Sequence, residues 1–190
     1  MKLKQIIEGL ELISIAGTVD LDIGRISFDS RQVKDGDLFV AVPGTQVDGH
    51  KFIQQAVASG AVAVLAQEAP KTEDPSVTHI QVTDSHQAQA LLAAAFYGFP
   101  SKELALVGIT GTNGKTTVAT LLHEIHTQMG YKAGLLSTIR VLLGENALSA
   151  SHTTPDPIQI NAYLREMVEA GCEYCFMEVS SHAIDQERIT

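Results

Sequence analysis

The segment ITGTNGKTT, residues 109–117, combines residue types that bind nucleotide phosphates. Its glycines allow a tight turn in which successive main-chain N–H groups face an anion. Lys115 supplies a positive charge for the terminal phosphates, and the Thr116 hydroxyl is placed for Mg²⁺. The general pattern G-x-x-x-x-G-K-[ST] puts its first glycine where this chain has Ile109, with Gly108 one position early. Despite this departure, the residues predict a phosphate loop. The alternative is a glycine-rich turn with a solvated lysine.

Further polar groups follow in the second half of the chain. Glu178 ends the apolar run YCFMEV, where a carboxylate beside a phosphate loop suits a hard cation, although a strand-end acid facing solvent is the alternative. The segments HTTPDP (152–157) and SSHAIDQER (180–188) carry hydroxyl, amide and guanidinium groups that can bind sugars, peptides or phosphates. Asp156 followed by Pro157 is also typical of a helix start.

Other arrangements do not support alternative chemistries. The contiguous residues 180–182 do not make a catalytic triad, whose members come from separated segments. His123 and His126 are one residue short of the zinc motif H-E-x-x-H, and we predict that both lie on a helix surface. Cys172 and Cys175 have the spacing of a redox pair, but the apolar surroundings of Cys175 favour a core role. No guanine-recognition motif of the NKxD type occurs.

Strands alternate with helices along the chain, which predicts an α/β fold with parallel sheets. The predicted strands are 25–29, 37–42, 61–66, 79–84, 104–110, 133–139 and 174–179. The predicted helices begin near residues 50, 84, 117 and 158. In the helix over 117–129, we expect Val118, Leu121, Leu122 and Ile125 to share the packed face.

A domain boundary is predicted near Pro100, where a new strand–turn–helix cycle begins, giving parts 1–99 and 100–190. The 190 residues suffice for one large or two small domains. Only three strands are predicted in the second part, which is few for such a sheet. We therefore expect the chain to be the front part of a longer protein.

The composition limits the class of partner. Thirteen Lys and Arg against 22 Asp and Glu give a net charge of −9, which argues against wrapping nucleic acid. No apolar run is long enough for a membrane helix, and the first residues lack the apolar core of a signal peptide. We predict a cytoplasmic protein that acts on small molecules, without nucleic-acid or membrane partners.

The motifs together resemble the ATP-dependent Mur ligases of peptidoglycan synthesis. The resemblance rests on TGTNGKTT without the first glycine, on HTTPD, on MEVSSHAIDQER and on the segment 28–61. It implies an N-terminal α/β uridine-nucleotide-binding domain at 1–99 that binds UDP-MurNAc. A P-loop parallel-sheet ATPase domain would follow at 100–190, incomplete and without the family's C-terminal domain.

The resemblance also implies roles for individual residues. Lys115 and Glu178 are expected to be catalytic, with Thr116 and Glu178 holding Mg²⁺. The residues expected to bind ATP are Gly111, Thr112, Asn113, Gly114, Lys115, Thr116 and Thr117. The residues expected to contact the UDP-MurNAc-dipeptide are Phe28, Ser30, Thr45, Gln46 and Val47 at the uridine end, and Thr153, Thr154, Ser180, Gln186 and Arg188 elsewhere. For the segment FDSR at 28–31, a strand end followed by a turn is the alternative.

Within the family, the resemblance implies a monomeric enzyme that adds meso-diaminopimelate or L-lysine to UDP-MurNAc-L-Ala-D-Glu through an acyl phosphate. We expect the 190-residue chain alone to be inactive, because the domain that binds the amino acid would lie beyond Thr190. A sibling ligase, MurF or folylpolyglutamate synthase, and a non-catalytic ATP-binding module are the alternatives. The segments FDSR and GTQVDG argue against the folate enzyme.

Overall fold

The computed structural model describes residues 1–44, 47–69, 74–144, 146–149 and 154–189. The chain forms two compact units, Met1–Phe96 and Tyr97–Thr190, and each is described by itself. The division lies close to the predicted boundary near Pro100. The expected α/β fold with parallel strands is present in both units.

The first unit is built on a sheet of five strands among the described residues, in the order β1-β5-β4-β3-β2. Strands β2 to β5 are parallel, and β1 runs antiparallel to β5 at the edge. Its elements are α1 (Leu3–Ile6), β1 (Leu12–Ala16), β2 (Arg25–Ser27), β3 (Asp37–Val40), a 3₁₀ helix (Gly49–Phe52), α2 (Ile53–Ala58), β4 (Ala61–Ala66), β5 (Thr78–Val82) and α3 (Ser85–Phe96).

Burial explains why β3 and β4 were predictable and β1 was not. All four residues of β3 are buried, as is usual for a central parallel strand covered on both faces. Phe39 of β3, Val64 of β4 and Ala56 of α2 belong to one hydrophobic core. In contrast, every residue of β1 is exposed. Its sequence, LISIA, lacks the alternation of apolar and polar residues that predicts a half-buried strand.

The second unit also contains five strands within its described residues, in the order β6-β10-β7-β8-β9. The three predicted strands, β6, β10 and β7, are parallel, whereas β8 and β9 continue the sheet as an antiparallel hairpin that the sequence analysis did not predict. Its elements are a 3₁₀ helix (Pro100–Lys102), β6 (Ala105–Ile109), α4 (Lys115–Gln128), β7 (Ala133–Leu136), β8 (Arg140–Leu143), β9 (Asn146–Ser149), α5 (Pro157–Glu169), β10 (Tyr174–Glu178) and α6 (Ser181–Asp185).

The packed face of α4 differs from the predicted one. Ala119 and Leu122 join the core formed with β7 and β10. Val118, Leu121 and Ile125 are each about half exposed, so the expected grouping of these three with Leu122 is wrong. The four positions are neighbours on the helix, but α4 lies mainly over β7 and β10, which turns the packed face toward Ala119.

The start of the second unit is fastened to α5 by one arginine. The Nε of Arg165 donates to the carbonyl of Tyr97 at 2.8 Å, and its Nη2 donates to the carbonyl of Gly98 at 3.1 Å. The same Nη2 also donates to a carboxylate oxygen of Glu103 at 2.7 Å. The planar guanidinium therefore binds two carbonyls and a carboxylate at the start of the second unit, and it fixes the chain leading into β6.

His123 is a buried residue of α4, which contradicts the predicted surface position. Its Nε2 lies 3.2 Å from the carbonyl of Ala133, and its Nδ1 has no hydrogen-bond partner among the described residues. Burial lowers the pKa of this imidazole below its ordinary value. His126, one turn further on, packs its ring against Tyr174 and Phe176 with centroid distances of 4.7 and 4.8 Å.

The lowered pKa of His123 predicts acid sensitivity. Below a pH of about 6.5, the unfolded chain binds a proton at this histidine that the folded chain resists, so acidification favours unfolding. We expect His123 to contribute up to about 1.4 kcal/mol per pH unit to the loss of unfolding free energy as the pH falls from about 6.5 toward the lowered pKa of the folded chain. Urea unfolding followed by circular dichroism measures this, and His123→Gln should show a shallower slope. An identical slope in both proteins would contradict the prediction.

Candidate functional site

The glycine-rich loop between β6 and α4 is exposed and has the backbone geometry predicted for it. Gly111 and Gly114 have φ angles of +146° and +83°, a region that strongly favours glycine. Residues 111–114 are exposed, and α4 begins immediately afterwards at Lys115. Because Gly114 has no side chain to cap α4, the first N–H groups and the positive end of the helix dipole face the loop.

The ammonium group of Lys115 closes over this loop. Its Nζ donates a hydrogen bond to the carbonyl of Gly111 at 2.8 Å. The contact is exposed, so a stronger acceptor such as a phosphate oxygen could replace the carbonyl at little cost. The loop therefore brings together a cation and several main-chain donors.

The carboxylate of Glu178 lies beside the start of α4. Glu178 is only 1% exposed and ends β10, the strand between β6 and β7. The Thr116 hydroxyl donates to its Oε2 at 2.9 Å, so the structure brings together the two predicted cation ligands. The buried position rules out the alternative of a strand-end acid facing solvent.

Thr138 supplies two further hydrogen bonds to Glu178 and was missed by the sequence analysis. Its main-chain N–H donates to Oε1 at 2.8 Å, and its hydroxyl donates to Oε2 at 3.0 Å. The position of Thr138 just beyond a predicted strand could have drawn attention to it. Its contact with Glu178, however, depends on the turn into β8, a strand that was not predicted.

The chemistry of these groups fits a nucleotide phosphate and a hard cation. Main-chain N–H groups and an ammonium suit phosphate oxygens, while carboxylate and hydroxyl oxygens suit Mg²⁺. Among the described residues, no group of three or more His, Cys, Asp or Glu side chains could hold a metal. A cation at Glu178 would therefore keep several water ligands, as Mg²⁺ commonly does.

The polar residues around β10 and α6 support one another. The Thr154 hydroxyl is buried, donates to the carbonyl of Glu178 at 3.0 Å and accepts from the N–H of Ser180 at 3.1 Å. Arg188 donates to the Thr154 carbonyl at 2.8 Å and twice to the Gln186 side-chain oxygen. The structure thus groups these predicted substrate residues, with the Thr154 hydroxyl engaged in holding the turn.

Two of these segments start helices. Asp156 accepts hydrogen bonds from the N–H groups of Ile158 and Gln159, which confirms the predicted cap of α5. Ser180 caps α6 by accepting from the N–H of Ala183 at 3.1 Å. Thr153 lies outside the described residues.

In the first unit, the predicted uridine-end residues lie beyond the carboxyl ends of neighbouring parallel strands. Phe28 follows β2 and is 41% exposed, and Val47 lies in the loop after β3 and is 53% exposed. Ser30 is buried, and its hydroxyl donates to the side-chain oxygen of Gln55 at 3.2 Å. Thr45 and Gln46 lie outside the described residues.

Asp29, beside Phe28, organises the turn after β2. Its carboxylate accepts hydrogen bonds from the main-chain N–H, Nε and Nη2 of Arg31. The side-chain hydrogen bonds from Arg31 lower the pKa of Asp29 to about 2. The backbone of FDSR is therefore a strand end followed by a turn, as the alternative interpretation has it. The side chain of Phe28 is nevertheless exposed, so it is available to a ligand.

The loop after β3 is closed by contacts that the sequence analysis missed. The N–H of Gly44 donates to the carbonyl of Val47 at 3.1 Å. Asp48 accepts from the main-chain N–H and the Nδ1 of His50, and His50 Nε2 accepts from the N–H of Gln67 at 3.1 Å. These partners fix which ring nitrogen carries the proton. The sequence feature that could have predicted the contact between Asp48 and His50 is their Asp-x-His spacing within VDGH.

The cysteines are core residues. Cys172 and Cys175 are both free and buried, and burial raises the pKa of both thiols, which disfavours the reactive thiolate. In the part of the chain that the structure describes, no helix has the length and apolar character needed to cross a membrane.

Comparison with known families assigns both units. Residues 22–97 match the family model described as "Mur ligase family, catalytic domain", and residues 109–190 match the "Mur ligase middle domain". The UDP-N-acetylmuramoyl-L-alanyl-D-glutamate–2,6-diaminopimelate ligase of Bacteroides fragilis is 50% identical over all 190 residues of this chain. The corresponding enzyme of Clostridium tetani is 39% identical, again over the whole chain. The chain spans 39% of the length of each of these relatives.

Solved structures show the same fold. A UDP-N-acetylmuramoyl-L-alanyl-D-glutamate–2,6-diaminopimelate ligase superposes with a TM-score of 0.76 at 23% identity, covering all of this chain and 38% of that one. The MurF ligase of Thermotoga maritima, solved in complex with ADP, gives a TM-score of 0.53 at 26% identity, covering 83% of this chain and 32% of that one. Since models of one family match both units and a relative shares half of all residues, this chain belongs to the Mur ligase family.

Proposed function

We propose that this chain forms the part of an ATP-dependent ligase that binds ATP and UDP-MurNAc-L-Ala-D-Glu, to which the whole enzyme adds 2,6-diaminopimelate. The observation that carries the proposal is the exposed loop 111–114 leading into α4, beside the half-buried Thr116 and the buried Glu178. The named activity of the Bacteroides fragilis and Clostridium tetani relatives supports this reaction and favours diaminopimelate over lysine.

At the phosphate end, the residues Gly111, Thr112, Asn113, Gly114, Lys115, Thr116 and Thr117 act as a P-loop for ATP. The main-chain N–H groups bind phosphate oxygens, and Lys115 exchanges the Gly111 carbonyl for the terminal phosphates. The ADP complex of the Thermotoga maritima MurF ligase supports nucleotide binding at this fold. Because these donors are preorganised, they stabilise negative charge that develops during phosphoryl transfer.

Thr116 and Glu178 are the residues that would hold Mg²⁺, which when bound neutralises charge on the phosphates. The hydroxyl and the carboxylate already lie within hydrogen-bond distance of one another at 2.9 Å. Their proximity means that a single cation can be reached by both without rearrangement of β10 or α4.

The proposed reaction proceeds in two balanced steps. A carboxylate oxygen of the D-Glu residue attacks the γ-phosphorus of ATP, which forms an acyl phosphate and releases ADP. The amino group of diaminopimelate then attacks the acyl carbon, loses a proton and expels inorganic phosphate. The first step brings two anions together, so Lys115 is placed where it lowers their repulsion.

The sugar-nucleotide end is assigned to the first unit. The exposed side chains of Phe28 and Val47 provide apolar surface for the uracil ring, and Ser30 supports the turn between them and α2. The full set of proposed contacts for UDP-MurNAc-dipeptide is Phe28, Ser30, Thr45, Gln46, Val47, Thr153, Thr154, Ser180, Gln186 and Arg188. For Thr154, we propose a role in shaping the turn that presents Ser180 and Arg188.

Removing the loop cation tests the phosphate end. Lys115→Ala should weaken ADP binding at least about tenfold, because it removes a charged hydrogen bond to the phosphates. Isothermal titration calorimetry of the 190-residue chain measures this. Lys132→Ala, which removes an exposed lysine at the opposite end of β7, is the matched control and should bind ADP like the unmodified chain. Equal affinity of all three proteins would contradict the proposed role of Lys115.

Removing the exposed aromatic ring tests the uridine end. Phe28→Ala should weaken UDP binding about tenfold, since stacking of a base on an aromatic ring contributes on the order of 1–3 kcal/mol. Ile13→Ala removes an apolar side chain from β1, at the other edge of the same sheet, and serves as the control. Calorimetric titration with UDP distinguishes the two. A loss in Ile13→Ala as large as that in Phe28→Ala would argue against a specific contact.

A further inference from the structure

We propose that Thr138 is a positioning residue that fixes the Glu178 carboxylate for its part in binding the nucleotide-bound cation. The inference rests on the proposed function, since it concerns the same phosphate end. It goes beyond that function by assigning a task to a turn that no phosphate or cation is expected to touch.

The register of the sheet brings Thr138 to Glu178. Strand β10 pairs with β7 on one side, with Met177 opposite Leu136, and with β6 on the other, with Glu178 opposite Ile109. Glu178 therefore emerges between the loop after β6 and the turn after β7. A residue in the turn after β7 can therefore reach the carboxylate from the side opposite the loop.

Thr138 holds both oxygens of the carboxylate at once. Its main-chain N–H donates to Oε1 at 2.8 Å and its hydroxyl to Oε2 at 3.0 Å. Two donors from one residue oppose rotation of the carboxylate group about its last bond. Oε2 also accepts from Thr116 at 2.9 Å, so the hydroxyl of Thr138 fixes the same oxygen that faces the start of α4.

The turn that carries Thr138 is itself held by its neighbours. Ser137 is 2% exposed, and its hydroxyl accepts from the N–H groups of Ile139 and Arg140 while donating to the carbonyl of Arg140 at 2.9 Å. The N–H of Ser137 also donates to that carbonyl at 3.1 Å. The direction of the Thr138 donors is thus set by a hydrogen-bonded turn between antiparallel strands.

The hydrogen bonds from Thr138 would matter most if the Thr116 hydroxyl turned away from Glu178 toward a cation. Glu178 then loses its hydroxyl partner on α4, and a buried carboxylate with too few donors is costly. Thr138 keeps both oxygens satisfied throughout and leaves Oε2 directed toward Thr116. Outer partners of this kind typically change metal affinity about 10–100-fold when removed.

The test compares ADP binding with and without Mg²⁺ in three variants of the 190-residue chain. Thr138→Val removes the hydroxyl and keeps the shape and the main-chain N–H, and we expect it to reduce the gain in ADP affinity from Mg²⁺ by at least about tenfold. ADP affinity without Mg²⁺ should stay unchanged, since the loop residues are untouched. Thr138→Ser restores the hydroxyl and should restore the gain.

Thr127→Val is the matched control, because it removes a hydroxyl that donates, among the described residues, to the carbonyl of His123, at the far end of α4. Thr138 is exposed in a turn, so its substitution leaves the core intact. Thr138→Ala also removes the hydroxyl and should reduce the Mg²⁺ gain in ADP affinity in the same way. An unchanged Mg²⁺ gain in Thr138→Val, or an equal loss in Thr138→Ser, would overturn the inference. If the unmodified chain binds no ADP at all, the proposed function fails instead.

Discussion

The central constraint in this chain is the burial of the Glu178 carboxylate at the end of β10. A carboxylate taken out of water needs hydrogen-bond donors, and here they come from α4 through Thr116 and from the turn after β7 through Thr138. Satisfying these bonds fixes the start of α4 relative to the sheet. The same arrangement leaves the loop before α4 exposed. The hydrogen-bonded link between the start of α4, the end of β10 and the turn after β7 therefore runs through one buried carboxylate.

This local organisation explains how an acidic chain can bind an anion. The net charge of −9 is spread over the whole sequence, whereas the loop combines Lys115 with the positive end of a 14-residue helix. Electrostatic interactions over a few ångströms outweigh more distant exposed charges, which are screened within about 10 Å at ordinary ionic strength. The negative net charge thus argues against a general affinity for nucleic acid, but it is compatible with a specific phosphate site.

Much of this organisation could be predicted from the sequence because local chemistry determines it. The glycines of the loop, the cap at Asp156 and the buried strands β3 and β4 each carry a local signal, and each is found in the structure. The antiparallel hairpin of β8 and β9 was missed because its short strands depend on pairing with β7 rather than on a pattern of their own. Thr138 was missed with it. The burial of His123 and Thr154 depends on which face of an element meets the core, and residue type alone gives no indication of that.

The most direct test of the account is a crystal structure of the 190-residue chain with ADP and Mg²⁺. The account predicts that the β-phosphate accepts hydrogen bonds from main-chain N–H groups within residues 111–117. Lys115 should then have left the Gly111 carbonyl for a phosphate oxygen, with Thr116 and Glu178 on the cation. ADP bound away from this loop, or a loop whose N–H groups point away from the phosphates, would contradict it.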